Sequence, residues 1–525
     1  MKSKVWYPFF VALLLGLGIM LGYTIKAKQQ TLFVKGINIS VFDQIIQLVK
    51  ANYVESVDGK LQEAAISEFL TQLDPHSVYI PASDLKGAEE ELIGNFEGIG
   101  IEFNIFHDTI QVVTPIQGGP SATLGILTGD KIIKINDKNV AGVGVTNKDV
   151  MKNLKGPKGT LVKVAIKRGN AEKLINFTIK RDKIPLYSVA TGLMIDTKTA
   201  YIKINSFSST TYKEFMEKLE PMLKQGAQNL IIDLRQNGGG FLEEAVAIAD
   251  ELLDGDKLIV YTEGLHFPRQ NYKAKIPGAF EMGKVTILID EGSASASEIL
   301  AGAIQDWDRG TIIGRRSFGK GLVQDQYALL DGSALRLTVA KYYTPSGRCI
   351  QKPYDKEISN YDHDLMDRYA TGELFGKDTV NHEKGKVFTT KIKKRKVFAN
   401  GGISPDIFVP LDTTSVNALI IDIYANNLSG QYVTQYYLSN KEQLKKFANA
   451  KDFNKNYNLT MQEYDSFINY CISNGVKKVN LAYKTISYKE LNIRLKSLLA
   501  KQLWGNDGYY TVILDNDELI KKALQ

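Results

Sequence analysis

Cysteine is almost missing from this chain. Only Cys349 and Cys471 occur, far apart and without histidine or cysteine neighbours. That spacing excludes a zinc ribbon and a disulfide framework, and leaves room for one bridge at most. Histidine is scarce as well. His76, His107, His266, His363 and His382 are the full set, and none lies in a turn motif that pairs it with a nucleophile, so each reads as structural or surface. The chain has no Gly-x-Ser-x-Gly elbow. Internal repeats and low-complexity tracts are absent, and neither charge dominates: 65 basic against 58 acidic side chains leave a net +7. The one basic run, Lys391 to Lys396, reads as solvated surface. No groove-entering helix or stacking-aromatic motif accompanies it, so nucleic acid is not expected as a partner. Nothing in these patterns calls for a metal or a cofactor.

What is present fits a folded, multi-unit protein. A chain of 525 residues is too long for one ordinary domain, and roughly three or four units are expected. Hydrophobic residues make up 44% and charged residues 23%, enough for a sizeable core. The N-terminus departs from this balance. Residues 5–25 carry no charge, and a helix of roughly 20 such residues spans about 30 Å of hydrocarbon. Lys2 and Lys4 precede the run, while Lys26, Lys28 and Lys35 follow it, so flanking charge does not orient it. No small-x-small cleavage site closes it. An uncleaved transmembrane signal anchor over 1–30 is therefore expected.

Further along, apolar residues recur at helical spacing from Ile39 to Phe69, and Leu73-Asp74-Pro75 closes that region. A short helix follows at Ser83–Ile93, opening on a Ser or Asp cap. The period then changes to two. Ile99, Ile101, Phe103 and Ile105 alternate with Glu102 and Asn104, His107-Asp108 turns, and Ile110 and Val112 resume. Strands at Lys131–Ile135 and Leu161–Lys167, with a helix at Asn147–Leu154 between them, complete a strand-rich unit. After Arg181 strands and helices alternate: Ala200–Ile204, Thr211–Gln225, Asn229–Leu234, Leu242–Leu253, Val285–Ile289 and Ala294–Asp306. Such alternation predicts helices packed on a mostly parallel sheet. Residues 355–385 read as a polar excursion, and from Thr414 helices dominate, ending in Asn516–Leu524.

The densest chemical signal is Gly292-Ser293-Ala294-Ser295-Ala296-Ser297-Glu298, directly after an apolar strand. A serine at a strand-to-helix turn exposes its hydroxyl at the sheet edge, and the free N–H groups of the helix start face a developing oxyanion. A plain helix cap has the same composition. With no histidine in place, a lysine can serve as the base once burial strips its proton. Each pKa unit removed costs the charged form about 1.36 kcal/mol, so the surroundings must be apolar and tightly packed. Lys320, in Ser317-Phe318-Gly319-Lys320-Gly321-Leu322-Val323-Gln324, has such neighbours.

Ser295, Lys320 and Gln324 in this order resemble the C-terminal processing (tail-specific) peptidases. The resemblance covers about Ile39 to Pro410 and includes Leu73-Asp74-Pro75-His76-Ser77, Gly98-Ile99-Gly100-Ile101, Asp233-Leu234-Arg235-Gln236-Asn237-Gly238-Gly239-Gly240, Thr344-Pro345-Ser346-Gly347-Arg348 and Gly402-Ile403-Ser404-Pro405-Asp406. It implies an α/β (mixed) protease core with an inserted PDZ-like β-rich domain, an N-terminal helical region and a C-terminal helical domain. The expected boundaries are 31–90 for the helical region, 91–183 for the PDZ-like unit, 184–412 for the core and 413–525 for the C-terminal helices. It further implies that Ser295 is the nucleophile, Lys320 its general base and Gln324 the group that orients the amine. The N–H groups of Gly239 and Ala296 would form the oxyanion hole. Gly98, Ile99, Gly100 and Ile101 would capture a substrate's terminal carboxylate while the peptide adds as an edge strand. Gly129-Asp130 looks like that unit's usual structural turn. The implied activity is endoproteolysis near the C-termini of proteins with exposed tails, from an inner-membrane anchor with the body on the periplasmic side. Residues beyond about 413 match nothing in the shared core, and their helices suit packing, a lid or self-association into a homo-oligomer.

Two other readings compete. Gly314 to Lys320 fits the first seven positions of a P-loop, with Leu230-Ile231-Ile232-Asp233 as an acidic strand end. However, Gly321 stands where the magnesium-binding hydroxyl belongs, and the segment after it alternates like a strand, so no helix N-terminus faces a phosphate. A membrane-anchored PDZ scaffold with an inert protease core is the other alternative, which the intact Ser295, Lys320 and Gln324 oppose.

Overall fold

Strands with apolar residues at every position must be covered on both faces. Asn229–Asp233 shows how this chain does it: Leu230 and Ile232 face one buried cluster, and Ile231 faces another. In the computed structural model, residues 41–54, 59–354, 358–376, 386–477 and 479–525 are described. The helical period expected over 39–69 is realised as two helices, α1 (Val41–Asn52) and α2 (Gly59–Thr71). The break at Tyr53-Val54 places an aromatic and a β-branched residue, both weak helix formers, between them. The described residues divide into two units between Phe69 and Leu70, and the candidate catalytic residues all belong to the second.

Helix α3 (Ala82–Ile93) begins one residue earlier than its expected cap, with Pro81 at the N-cap and no side-chain cap bond. The chain then enters the PDZ-like unit. Its strands β1 (Ile101–Phe106), β2 (Thr109–Pro115), β3 (Lys131–Ile135), β4 (Leu161–Lys167) and β5 (Ile175–Lys180) pair in chain order, each antiparallel to the next. Helix α4 (Asn147–Leu154) lies between β3 and β4 in the chain and starts with a Thr146/Asp149 capping box. Ile99, Ile110, Val112, Ile132, Val150, Val162 and Ile166 form the core of this unit. Asp130 accepts from the Leu127 N–H at 2.8 Å and from the Arg168 guanidinium at 2.8 Å, so the Gly129-Asp130 turn is structural. A short antiparallel pair, 95–98 with 182–185, closes the neck of the insertion.

The core is built on a six-stranded sheet. β6 (Val189–Met194) runs antiparallel to β7 (Thr199–Ile204); β7, β8 (Asn229–Asp233), β9 (Lys284–Ile289), β10 (Gly310–Gly314) and β13 (Ile407–Phe408) are parallel in that order. Helices α5 (Thr211–Lys224), α6 (Leu242–Asp250) and α7 (Ala296–Asp306) bury Phe215, Leu219, Ile248, Leu300 and Ile304 against one face. The opposite face is covered by the end of α8 (Leu481–Leu514) and by α9 (Glu518–Leu524), through Leu514, Leu519, Ile520 and Ala523. A second, antiparallel sheet is organised around β12 (Ala334–Tyr343), which pairs with β11 (Leu322–Ala328), 78–80 and 258–263.

The expected fold needs one correction. Among the described residues no helix is long and apolar enough to cross a membrane. The longest, α8, carries Lys484, Lys489, Glu490, Arg494, Lys496, Lys501 and Asp507, and Trp504 and Gly505 interrupt its helical backbone. Among the described residues the architecture is thus a mixed α/β core, a PDZ-like domain and a C-terminal helical region, with no transmembrane helix. The segment that suggested it, residues 5–25, lies outside the described residues, as do His382 and both ends of the 355–385 excursion, 355–357 and 377–385. Cys349 and Cys471 are both free, so the single bridge left open by their number is not made.

Candidate active site

Strand β9 ends at Ile289, and α7 begins seven residues later at Ala296. The turn between them is held by Ser293, whose hydroxyl donates to the Leu234 carbonyl at 2.8 Å and accepts from the Asp290 N–H at 3.0 Å. Ser295 follows at φ 55°, ψ −115°, as the N-cap of α7. A non-glycine residue at such an angle costs on the order of 1–2 kcal/mol and persists only where its surroundings over-determine it. Ala296 is the first residue of α7, so its N–H has no intrahelical acceptor.

The glycine-rich loop after β8 lies directly against this turn. Gly239 has φ +99°, and a Cβ there would come within 2.7 Å of both the Ala294 carbonyl oxygen and Ser295 Cβ. Only glycine fits. Asn237, fully buried, stitches the two loops together. Its carbonyl accepts from the Ala294 N–H and the Ser297 hydroxyl, both at 2.9 Å, and its side-chain amide donates to the Ile204 carbonyl at 3.0 Å. Its Oδ1 accepts from the Gly239 N–H at 2.9 Å. The donor expected to serve an oxyanion is therefore engaged within the loop here.

Lys320 enters from the other side, just before β11. Its amine donates to Gln324 Oε1 at 3.0 Å, and Gln324 Nε2 donates to the His76 carbonyl at 2.8 Å. His76 is fixed in turn by Asp74, which accepts from the N–H groups of His76 and Ser77 at 2.8 and 2.9 Å and from Thr338 Oγ1 at 3.0 Å. The Leu73-to-Ser77 motif thus acts as the anchor of Gln324. Burial lowers the Lys320 amine pKa and Arg336 pushes it the same way, while Asp74 and Glu298 oppose them; the net direction is down.

Ser295, Lys320 and Gln324 line one cleft of about 1400 Å³, together with Gly238, Gly239, Ile299, Leu322 and Tyr342. Among the described residues no hydrogen bond joins the Ser295 hydroxyl to the Lys320 amine, and no histidine lines the cleft. Nor is any group of three or more His, Cys, Asp or Glu placed to hold a metal ion among those residues.

Sequence reasoning assigned no role to Glu298. Fully buried, it accepts from the N–H groups of Ser295 and Lys320, both at 2.9 Å, from the Gly319 N–H at 2.7 Å, and from the Ser317 hydroxyl. One carboxylate therefore holds the backbones of both Ser295 and Lys320. Burial raises its pKa to about 7 in spite of those four donors. Its signal was present, since Ser295 and Glu298 have the spacing of a capping box. The same bonds dispose of the P-loop reading, because the amides that would cradle a phosphate point at a buried carboxylate. Tyr342 was also missed: its hydroxyl lies 2.6 Å from the Lys320 carbonyl and 3.1 Å from that of Ser295.

In the PDZ-like unit, Gly100 at φ +72° turns the Gly98-to-Ile101 loop, and Ile101 begins β1. β1 pairs with β2 along one edge only, and its other edge is open among the described residues. Ile99 points into the unit's core, and its carbonyl accepts from the Ser121 N–H and hydroxyl.

Residues 198–358 match peptidase family S41, residues 98–179 match the PDZ domain, and residues 419–505 match a family of unknown function. The chain is similar to the carboxy-terminal-processing protease of Bartonella bacilliformis, 35% identical over 364 residues that cover 66% of this chain and 82% of that protein. It is also similar to the carboxy-terminal processing protease CtpA of Bacillus subtilis, 36% identical over 322 residues, 60% of this chain and 67% of that one. Among solved structures, the photosystem II D1 C-terminal processing protease matches with a TM-score of 0.37 and 24% identity, over 70% of this chain and 87% of that one.

Proposed function

Since the chain belongs to peptidase family S41, the serine endopeptidases that include the carboxy-terminal processing proteases, we propose that it cleaves proteins near their C-termini with Ser295 as nucleophile and Lys320 as general base. The observation that carries this reading is the shared cleft: a strained, helix-capping serine and a lysine whose charged form is disfavoured by burial line the same space. The uncharged amine takes the proton of the Ser295 hydroxyl as Oγ attacks the scissile carbonyl. The resulting ammonium returns that proton to the departing amine, leaving an ester on Ser295. Water, deprotonated by the same amine, then releases the acid. Gln324 aims the amine through its Oε1.

In this scheme the Ala296 N–H, free at the helix start, faces the oxyanion. The Gly239 N–H joins it by leaving Asn237 Oδ1, and the Lys320 amine turns its lone pair toward Ser295 while still donating to Gln324 Oε1. The substrate tail enters as a strand on the open edge of β1, with its carboxylate on the amides of Gly98 to Ile101. A full-length chain incubated with an unstructured protein ending in an apolar tail tests the dyad. Ser295→Ala and Lys320→Ala should each abolish cleavage and leave tail binding intact. Cleavage by either variant at the wild-type rate refutes the assignment and favours an inert scaffold or another nucleophile.

A further inference from the structure

The last helix of the chain reaches the loop that carries Gly239. α9 lies on the face of the catalytic sheet opposite α7, with Leu519, Ile520 and Ala523 packed among Tyr201, Ile231, Leu288 and Ile313. Its N-cap is Asp517. One carboxylate oxygen accepts from the Leu519 N–H at 2.9 Å, and the other pairs with Arg235 Nη1 at 2.7 Å. Arg235 stands two residues beyond the end of β8 and begins the turn that leads to Gly239. Its polar groups are committed on every side. The N–H donates to Asp233 Oδ1 at 2.9 Å, the guanidinium pairs with Asp233 at 2.5 Å, and the carbonyl accepts from the Lys203 amine. Tyr201 completes the cluster by donating to Asp233 Oδ2 at 2.8 Å. The next residue, Gln236, is held at φ +57° with its N–H on Asp290 Oδ1 at 2.8 Å. Such an angle in a non-glycine residue lasts only while its neighbours are fixed.

We propose that Asp517 is a positioning residue for proteolysis: through Arg235 it holds the turn that presents Gly239 to Ser295, which makes the terminal helix part of the catalytic apparatus. The inference rests on the reading of Ser295 as the nucleophile. Asp517 and Asp233 are the two anions paired with Arg235 among the described residues. Without Asp517 the guanidinium keeps a single anchor, beside the cationic Lys203, and the turn before Gly239 loses its brace on the far side of the sheet. Removing one member of a largely buried charge pair is costly because its partner stays uncompensated.

The test uses the full-length chain carrying Asp517→Asn, because asparagine caps a helix as well as aspartate and α9 keeps its start. Cleavage kinetics are measured on an unstructured protein with an apolar tail, and hydrogen exchange is followed over residues 235–240. The expected result is a kcat lowered about tenfold or more with KM within about twofold. The amides of 235–240 should exchange about tenfold faster while β8 and α9 keep their protection. Wild-type kcat with wild-type protection overturns the proposal. So does a loss spread over kcat, KM and the protection of α8 and α9 together, which would mark a purely stabilising role. If the wild-type chain itself does not cleave, the proteolytic reading fails, and the exchange measurement alone decides whether Asp517 braces the turn.

Discussion

At the scale of single residues, Glu298 meets two opposed demands. Its four donors all favour the ionised form, yet complete burial favours the neutral acid and raises its pKa from an ordinary 4.5 to about 7. The protonated carboxyl therefore favours the folded state fully below pH 4.5, and that contribution, about 3 kcal/mol, is lost as pH rises through 7. Activity should move the other way, because the ionised carboxylate holds the Ser295 and Lys320 amides more tightly than the neutral acid does. A pH titration of cleavage and of thermal midpoint should show activity rising through pH 7 while this share of the stability falls. Glu298→Gln, which mimics the neutral form, should abolish that limb and reduce kcat about 10- to 100-fold. Loss of the limb with full activity would remove Glu298 from the account. Lys320→Arg keeps the positive charge but cannot yield a free base, so kcat should drop by about 10³-fold or more. Retained cleavage by that variant would show that no proton passes through residue 320.

At the scale of elements, two glycine turns allow the proposed chemistry and the proposed recognition to be tested separately. Gly239→Ala would drive a methyl group into the Ala294 carbonyl and Ser295 Cβ at a backbone angle that alanine rarely adopts. We expect a loss of about 2–4 kcal/mol in stability and cleavage below about 1% of wild type, read by thermal unfolding and by turnover. Gly100→Val should act differently. A Cβ there meets Ile184 at 3.0 Å, inside the neck of the PDZ-like unit, and φ is +72°. Binding of a labelled peptide with a free C-terminus, followed by fluorescence polarisation, should weaken about tenfold or more. The Ser295 turn should stay unchanged, judged by labelling with a small serine-reactive probe. Unaltered peptide affinity would argue that the Gly98-to-Ile101 loop does not hold the tail.

At the scale of the whole molecule, the C-terminal helices close the structure that the protease core leaves open. Without α9, the face of the sheet carrying Tyr201, Ile231, Leu288 and Ile313 would lose the cover of Leu519, Ile520 and Ala523. Ile520→Ala should cost about 2–4 kcal/mol, visible as a lower denaturant midpoint. A cost near zero would mean that α9 is not seated on the sheet. Contacts also reach the PDZ-like unit, where Lys501 of α8 pairs with Glu102 of β1 at 3.1 Å and Leu438 packs against Gly129. The terminal helices therefore touch both the PDZ-like unit and the six-stranded sheet.

Local order was legible in the chain because it depends on neighbours in sequence. Periodicity of two or 3.6, the serine after a buried strand and the glycine run after another are short-range patterns. They led to β7, β8, β9, α4 and α7 and to Ser295 and Lys320 as candidates, while Gln324 came from the family resemblance. The reading failed where the outcome depends on distant partners. An uncharged run at 5–25 suggested a membrane span; that run lies outside the described residues, none of whose helices is long and apolar enough. Glu298 had no assigned role until the fold brought Ser295 and Lys320 onto the same carboxylate. Asp517, 282 positions from Arg235 in the numbering, had no local sign of its partner. Residue type and spacing therefore determined which groups this protein has for its chemistry. Tertiary packing alone decided which of them are buried, since desolvation and long-range pairing arise only when separate stretches of chain exclude water from each other.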